Sequence, residues 1–139
     1  MNYKVFKDII VVRLEKGEEI IASITELCKK KNIQAGTISG LGAVDYVVIG
    51  LYNVKEMAYY STTYEDYFEI ANLTGNISVK DDEPYLHIHG TFGDVDGTCI
   101  GGHLSEARIS STCEIIIQRI DGVIGRSLDE NIGLNVMKF

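Results

Sequence analysis

Residues 85–104 read YLHIHGTFGDVDGTCIGGHL and contain all three histidines of the chain, His87, His89 and His103. Two short runs with alternating apolar residues flank the segment DVDG, a pattern typical of two β-strands joined by a tight turn. The stretch therefore predicts a β-hairpin. Its register decides whether the histidines meet or point in different directions.

The alternation of apolar residues places the three histidines on one face. Every second side chain of a strand lies on the same face of the sheet. The even-numbered positions are the apolar ones and include Leu86, Ile88, Phe92, Ile100 and Leu104. The even face is expected to pack on the core, while the odd face carries the histidines together with Cys99.

The turn gives a second, independent indication of the register. A three-residue loop at 95–97 places Gly97 where a left-handed residue is needed, and it makes His89 and His103 direct partners. A two-residue loop would send His103 to the opposite face. Directly opposed Cβ atoms lie about 4.5–5.5 Å apart, near enough for two imidazoles to share one ion. The pair GG at 101–102 is a candidate β-bulge that would re-aim His103.

Three imidazoles on one face are typical of a Zn²⁺ site with a fourth position left for water or a small ligand. Nickel and copper also bind histidine clusters, so the identity of the metal stays open. An open zinc position can activate water for hydrolysis, and Glu69, Glu106 and Glu114 are candidates for the general base by residue type alone. The alternative is three ordinary histidines on a solvent-facing strand, and spacing does not separate the two readings.

The rest of the chain predicts one α+β domain, residues 1–139, with a mostly antiparallel β-sheet and one main helix at about 17–31. Apolar residues recur on one helical face at Ile20, Ile21, Ile24, Leu27 and Cys28. Strand patterns are found at 3–17 (one or two strands), 33–53, 57–64, 67–80, 85–92, 97–109, 111–120 and 133–139. A short helical turn is expected near 129–131.

Composition and charge bear on the class of protein. The net charge is −7, and the one basic run, KKK at 29–31, lies at the end of the predicted helix. This argues against nucleic-acid binding, which depends on neutralising phosphates with Lys and Arg. No run of apolar residues is long enough to cross a membrane, and the N-terminal segment is not expected to be a signal peptide. Three cysteines without CxxC spacing favour a reducing compartment, so a cytoplasmic location is expected.

Several further residues are candidates for a site or pocket. Arg13 could hold an anion or carboxylate, or it could simply pair with a nearby glutamate. Cys99 shares the histidine face and could be a soft ligand, although such a cysteine is more often a small buried hydrophobe. A dense group of tyrosines is a candidate for a pocket or a subunit interface and comprises Tyr59, Tyr60, Tyr64 and Tyr67.

The ordered set of motifs resembles the plant and prokaryote conserved (PPC) domain family over nearly the whole chain. The resemblance is carried by RLEKGEEI (13–20), GTISGLGAV (36–44), YFEIANLTGNIS (67–78), LHIHGTFGDVDGTCIGGHL (86–104) and TCEIII (112–117). It implies an α+β fold, a homotrimer and a metal held at His87, His89 and His103. It also marks characteristic positions at Arg13, Gly40, Gly42, Glu69 and Gly102.

The resemblance and the residues together favour a stand-alone, homotrimeric PPC-domain protein that binds zinc and acts as a binding or regulatory module, with an unknown small molecule or protein as its partner. Stand-alone prokaryotic members often carry a DNA-binding label, which makes DNA binding the first alternative. The acidic chain, which has no AT-hook, argues against it. A zinc-dependent hydrolase or lyase acting on a small molecule is the second alternative. Whether the protein is an enzyme stays open at this point.

Overall fold

The computed structural model describes residues 1–139 as nine β-strands and one α-helix. The strands are β1 (Asn2–Phe6), β2 (Ile9–Glu15), β3 (Gly36–Asn53), β4 (Ala58–Tyr64), β5 (Phe68–Lys80), β6 (Glu83–Gly93), β7 (Cys99–Arg119), β8 (Gly125–Asp129) and β9 (Leu134–Lys138). The helix α1 spans Ile20–Lys31. The predicted α+β fold with one main helix is confirmed.

All nine strands belong to one sheet, and four of its strands, β3, β5, β6 and β7, pair in a closed ring. Strand β3 pairs with β5, β5 with β6, β6 with β7, and β7 returns to β3, all antiparallel. Strands β1 and β2 extend the sheet from β7, and β4 extends it from β3. One parallel contact, between Val79 and Gly125, attaches β8 and its partner β9 to β5. This last contact brings the C-terminal hairpin beside β5, the strand that pairs with the one carrying His87 and His89.

Several predicted element boundaries need correction. The segments 97–109 and 111–120 form one continuous strand, β7, because β3 pairs with it both before and after the polar residues at 110–112. The segment 3–17 forms two strands. No helix forms near 129–131, but the backbone N–H of Gly133 donates to the carbonyl oxygen of Asp129 at 2.8 Å, which closes a single helical turn between β8 and β9. Strand β8 was not predicted.

Helix α1 begins at Ile20 rather than at 17, because Glu19 is its N-cap. The Glu19 carboxylate accepts hydrogen bonds from the backbone N–H groups of Ile21 (3.0 Å) and Ala22 (2.6 Å), which the helix itself cannot satisfy. The helix ends at Lys31, and its C-cap Asn32 is in the left-handed conformation at φ 50°.

A cluster of 23 buried residues forms the core between the helix and the inner face of the sheet. Helix α1 contributes Ile20, Ile24, Leu27 and Cys28, as the helical pattern predicted. Strand β6 contributes Ile88 and Phe92, and β7 contributes Leu104, so the even face of the hairpin is the buried one. No helix in the protein is both long enough and apolar enough to span a membrane.

Candidate metal centre

The hairpin of β6 and β7 has the predicted three-residue turn. Gly97 lies in the left-handed region at φ +78°. The backbone N–H of Asp94 donates to the carbonyl oxygen of Thr98 at 2.9 Å, and the Asp94 side chain accepts from the N–H groups of Asp96 and Thr98. His89 therefore pairs directly with His103. The predicted register of the hairpin is formed.

The candidate bulge at 101–102 is not formed in the hairpin, since the pairing of β6 with β7 continues through both glycines without a shift. The register shift that affects this strand lies further on, in its pairing with β3, where Val48 opposes Glu106 and Ile49 opposes Leu104. After this point the buried positions of β7 change from even to odd numbers, beginning at Ala107. The histidine side of the hairpin lies before the shift and keeps its direction.

The three histidine rings converge on one point in front of the sheet. Their centroids are 5.2 Å apart for His87 and His89, 5.2 Å for His87 and His103, and 5.5 Å for His89 and His103. One nitrogen from each ring lies within 4.8 Å of the others. His89 is exposed, whereas His87 and His103 are partly buried.

The spacing of the His87 and His89 nitrogens matches that of two ligands of a tetrahedral metal. Zinc binds imidazole nitrogen at about 2.0–2.1 Å, which places two nitrogens of one tetrahedral site roughly 3.3–3.4 Å apart. The Nε2 atoms of His87 and His89 are 3.3 Å apart. His103 closes the third side within the 4.8 Å span of the cluster. The donor set, three neutral nitrogens with one side open, therefore fits a divalent ion with a free coordination position.

The protonation of the cluster also favours a metal. Burial and the neighbouring His87 and His89 rings lower the pKa of His103 to about 4. Burial is also the main cause of the lowered pKa of His87, with His89 and Arg126 adding to it. The neutral imidazole is the form that binds a metal ion.

The lowered pKa values predict a pH dependence for the stability of the metal-free protein. The unfolded chain protonates His103 near its ordinary pKa of 6.5, and the folded chain only at about 4. Between these values the unfolded state binds more protons, so the free energy of unfolding falls as the pH drops from 7 to 4. Because the His103 ring is only half-buried, solvent screening reduces the effect, and we expect the free energy of unfolding to fall by roughly 1–2 kcal/mol.

Urea unfolding in the presence of a chelator, at pH 7.5 and pH 4.5, measures this loss. The variant His103→Gln is the matched comparison, because it keeps a neutral polar side chain and cannot take up the proton. Its stability is expected to fall less over the same interval. An equal fall in the two proteins would contradict the prediction.

The histidines lie in an open cavity of about 910 Å³ whose walls are aromatic. Its lining includes three of the tyrosines that the sequence marked, Tyr59, Tyr60 and Tyr64, and also Tyr52 and Tyr85. The Tyr59 and His103 rings pack in a T-shaped arrangement, with their centroids 5.5 Å apart. Burial raises the pKa of the Tyr59 hydroxyl, which keeps it protonated and able to donate a hydrogen bond. Tyr67 lies elsewhere and is 73% exposed.

The other predicted site residues divide between the cavity and distant parts of the sheet. Gly102 lines the cavity, where a Cβ atom would lie 2.8 Å from the carbonyl oxygen of Gly50. Cys99 is exposed at the far end of the hairpin. Arg13 pairs with Glu15 on β2, and Glu69 lies opposite Gly93 at the end of β5. The structure does not bring Arg13, Glu69 or Cys99 to the histidines.

None of the three glutamates considered as a general base lines the cavity. Glu114 lies opposite Arg13 in the pairing of β2 with β7, and Glu106 is exposed on β7 beside Val48. The lining of the cavity contains no carboxylate at all, and its one cationic residue is Arg126. The chain by itself therefore supplies ligands and hydrogen-bond donors at this site but no carboxylate base.

Two residues of the cavity, Arg126 and Tyr85, were not among the predicted site residues. The alternation of β6 placed Tyr85 on the histidine face, two positions before His87, but assigned it no role. Arg126 had no such signal. It lies on β8, a five-residue strand of mixed composition that reaches the cavity through one parallel contact with β5.

Comparison with known proteins connects this geometry to a family. The profile of the Plants and Prokaryotes Conserved (PCC) domain matches residues 1–121. The chain belongs to this family. It is the plant and prokaryote conserved (PPC) family that the motifs resembled, and the match includes all three histidines. Arg126 lies beyond the matched residues. No curated protein sequence matches the chain.

Solved structures share the fold of this PCC-domain protein over almost its full length. A "putative DNA binding protein" from Bacteroides thetaiotaomicron is 33% identical with a TM-score of 0.97, covering 99% of this chain and 96% of that chain. A "metal-containing protein" from Archaeoglobus fulgidus is 34% identical with a TM-score of 0.90, covering 99% and 97%. A PPC protein from Pyrococcus horikoshii is 28% identical with a TM-score of 0.88, covering 99% and 95%.

Proposed function

We propose that this PCC-domain protein is a metal-binding module in which His87, His89 and His103 hold one divalent ion and leave a coordination position open to the cavity. The observation that carries the proposal is the convergence of three imidazole nitrogens within 4.8 Å. A relative described as metal-containing supports it. Zinc is the proposed metal, because three neutral nitrogens at this spacing with an open fourth position are its typical set.

The test of this proposal is elemental analysis of the purified protein after loading and extensive dialysis. We expect about one zinc per chain, as for other sites with three protein ligands. Competition with nickel and copper, followed by the same analysis, identifies the preferred metal. A protein that keeps no divalent metal under these conditions would contradict the proposal.

The cavity favours a small-molecule role over a purely structural metal. Structural zinc sites have four protein ligands and no open position. Here the cluster faces about 910 Å³ of space with aromatic walls. The proposed role is therefore the binding of a small ligand at the metal. A hydrolase would need a general base within one water of the metal, and no carboxylate of this chain lines the cavity.

DNA binding is the alternative taken from the names of relatives such as the Bacteroides protein. The net charge of −7 gives it no support, and the cavity contributes a single arginine. A gel-shift titration at low salt discriminates between the proposals. Affinity that falls steeply with salt would favour DNA binding, whereas an absence of shifted DNA would favour the metal-dependent role.

We also propose that three chains associate through the outer face of β1, β2, β7 and β3. Side chains that are large, apolar and 41–59% exposed share this face, namely Phe6, Ile9, Val11, Leu41 and Ile116. Val11 lies directly opposite Ile116 in the sheet, and Ile116 lies opposite Ser39 of β3. Large exposed apolar side chains grouped on one face and set among polar residues are typical of a protein–protein interaction site.

Substitution of Ile116 by lysine is expected to break this association, because it places a charge in the centre of a desolvated patch. Sedimentation equilibrium should give three times the 15.4 kDa chain mass for the wild type and the mass of one chain for Ile116→Lys. Val95→Lys is the matched control, since Val95 is apolar and 97% exposed but lies in the β6–β7 turn. A trimer that survives Ile116→Lys would place the interface elsewhere.

A further inference from the structure

We propose that Arg126 binds the carboxylate of a small organic ligand whose hydroxyl oxygen occupies the open position of the metal. This inference rests on the proposed metal site and deepens it by naming the class of ligand. It goes beyond the histidine cluster, because it assigns a role to the C-terminal hairpin that β8 and β9 form.

Arg126 is a positive charge without a negative partner. It is the one cationic residue in the lining of the cavity, which contains no Asp or Glu. The ion pairs of the chain involve Glu18, Glu15, Glu83, Asp81 and Asp45, and none of these carboxylates contacts Arg126. A partly buried guanidinium in this position attracts an anion from solution.

The chain holds Arg126 in place with neutral groups. Its Nε donates to the Ser78 hydroxyl (2.7 Å), its Nη1 to the backbone carbonyl of Asn135 (2.8 Å) and its Nη2 to the side-chain oxygen of Asn76 (2.9 Å). Ser78 is the one polar residue in the fully buried set, and its hydroxyl donates to the carbonyl oxygen of Tyr85. These contacts orient the guanidinium and leave its charge uncompensated.

The remaining donors of Arg126 match a carboxylate. A guanidinium has five N–H groups, and the three hydrogen bonds leave one N–H on each terminal nitrogen. Free N–H groups on the two terminal nitrogens can donate to the two oxygens of one carboxylate. A dianionic phosphate is typically bound by several cations or by a helix N-terminus. The cavity offers one cation, which favours a monoanionic carboxylate.

The position of Arg126 lets one small molecule reach both the guanidinium and the metal. Asn76, which accepts from Arg126, lies directly opposite His87 in the pairing of β5 with β6. The guanidinium also stacks on the Tyr85 ring at 4.6 Å, two residues before His87 on the same face. Alternate residues of one strand lie roughly 6.6–7 Å apart. We therefore infer that one ligand of two or three carbon atoms can contact both the guanidinium and the metal, and the tyrosine walls accommodate its apolar part.

The experiment uses full-length protein loaded with Co²⁺, whose visible absorption reports the coordination of the metal. Glycolate and 3-hydroxypropionate are the probes, because each carries one carboxylate and one hydroxyl oxygen. Glycolamide is the uncharged control, and inorganic phosphate tests the competing anion class. We expect a saturable change of the cobalt spectrum with at least one of the two hydroxy acids, and none with glycolamide.

Arg126→Gln should keep its cobalt and lose about tenfold or more in affinity for the responding hydroxy acid, since a charge-assisted fork is replaced by a neutral amide. Arg126→Lys keeps the charge without the fork and should also bind more weakly. It provides the test if the glutamine variant does not fold. Arg108→Gln is the matched control, because Arg108 is an exposed arginine that pairs with Asp45 outside the cavity.

The outcomes separate this inference from the proposed metal site. A wild-type chain that takes up no cobalt overturns the metal site and the carboxylate inference together. A loaded chain whose spectrum does not respond to either hydroxy acid, or responds only to phosphate, overturns the inference alone. The carboxylate inference alone is also overturned if every folded Arg126 variant binds the hydroxy acid as tightly as the wild type does.

Discussion

The double substitution His87→Ala/His89→Ala is expected to abolish zinc binding. It removes two of the three nitrogens that converge on the site, including the pair whose Nε2 atoms are 3.3 Å apart. Each ligand of a protein zinc site contributes several kcal/mol, so the loss of two should weaken binding on the order of 1,000-fold or more. After dialysis the zinc content should fall from about one per chain to less than about one-tenth.

Thr91→Ala is the matched control for the double variant. Thr91 lies on the same strand and the same face as His87 and His89, but it does not line the cavity. Its zinc content should equal that of the wild type. Circular dichroism of both variants establishes that the sheet is intact. Full retention of zinc by the folded double variant would contradict the site, and equal loss in Thr91→Ala would indicate damage to the strand instead.

Substitution of Gly42 by alanine is expected to give the largest loss of stability among the family's characteristic positions. Gly42 lies in β3 between β5 and β7, at φ +154°, where the register of β3 shifts against both neighbours. An added Cβ would lie 2.6 Å from the Cα of Cys113 and would also collide with the carbonyl oxygen of Thr112. These are backbone atoms of the central strand and cannot move aside without breaking its pairing.

We expect Gly42→Ala to lower the free energy of unfolding by about 3 kcal/mol or more, from overpacking together with backbone strain. Thermal unfolding should show a decrease in Tm of roughly 10 °C. Gly125→Ala is the matched control, because its Cβ would meet no atom within 4 Å and its φ is not in the left-handed region. A change of less than about 1 kcal/mol in Gly42→Ala would contradict the clash.

The resemblance marked Gly40, Gly42 and Gly102 without assigning them a role, and the structure shows what they share. Each lies in a central strand where a neighbouring backbone approaches closely. A Cβ at Gly40 would lie 3.0 Å from the carbonyl oxygen of Glu114, and one at Gly102 would lie 2.8 Å from that of Gly50. Arg13 and Glu69 have no comparable explanation, since neither reaches the cavity.

The convergence of the histidines could be predicted from the sequence because it depends on local rules. Apolar residues at even positions require Ile88, Phe92 and Leu104 to face the core, and all three are buried. The turn that ends in Gly97 sets an even register between the two strands, which makes His89 and His103 partners. Both rules act within one hairpin, so no distant contact is needed to place the three rings together.

The rest of the cavity depends on pairings between segments far apart in the chain, and only the tertiary structure decided it. Tyr59 reaches His103 because β4 pairs with β3, and β3 pairs with β7. Arg126 reaches the histidine side through one parallel contact between Val79 and Gly125, for which no local pattern exists. The sequence by itself thus determined which residues could hold a metal. Long-range strand pairing determined which charged residue and which aromatic side chains surround the open side of the histidine cluster.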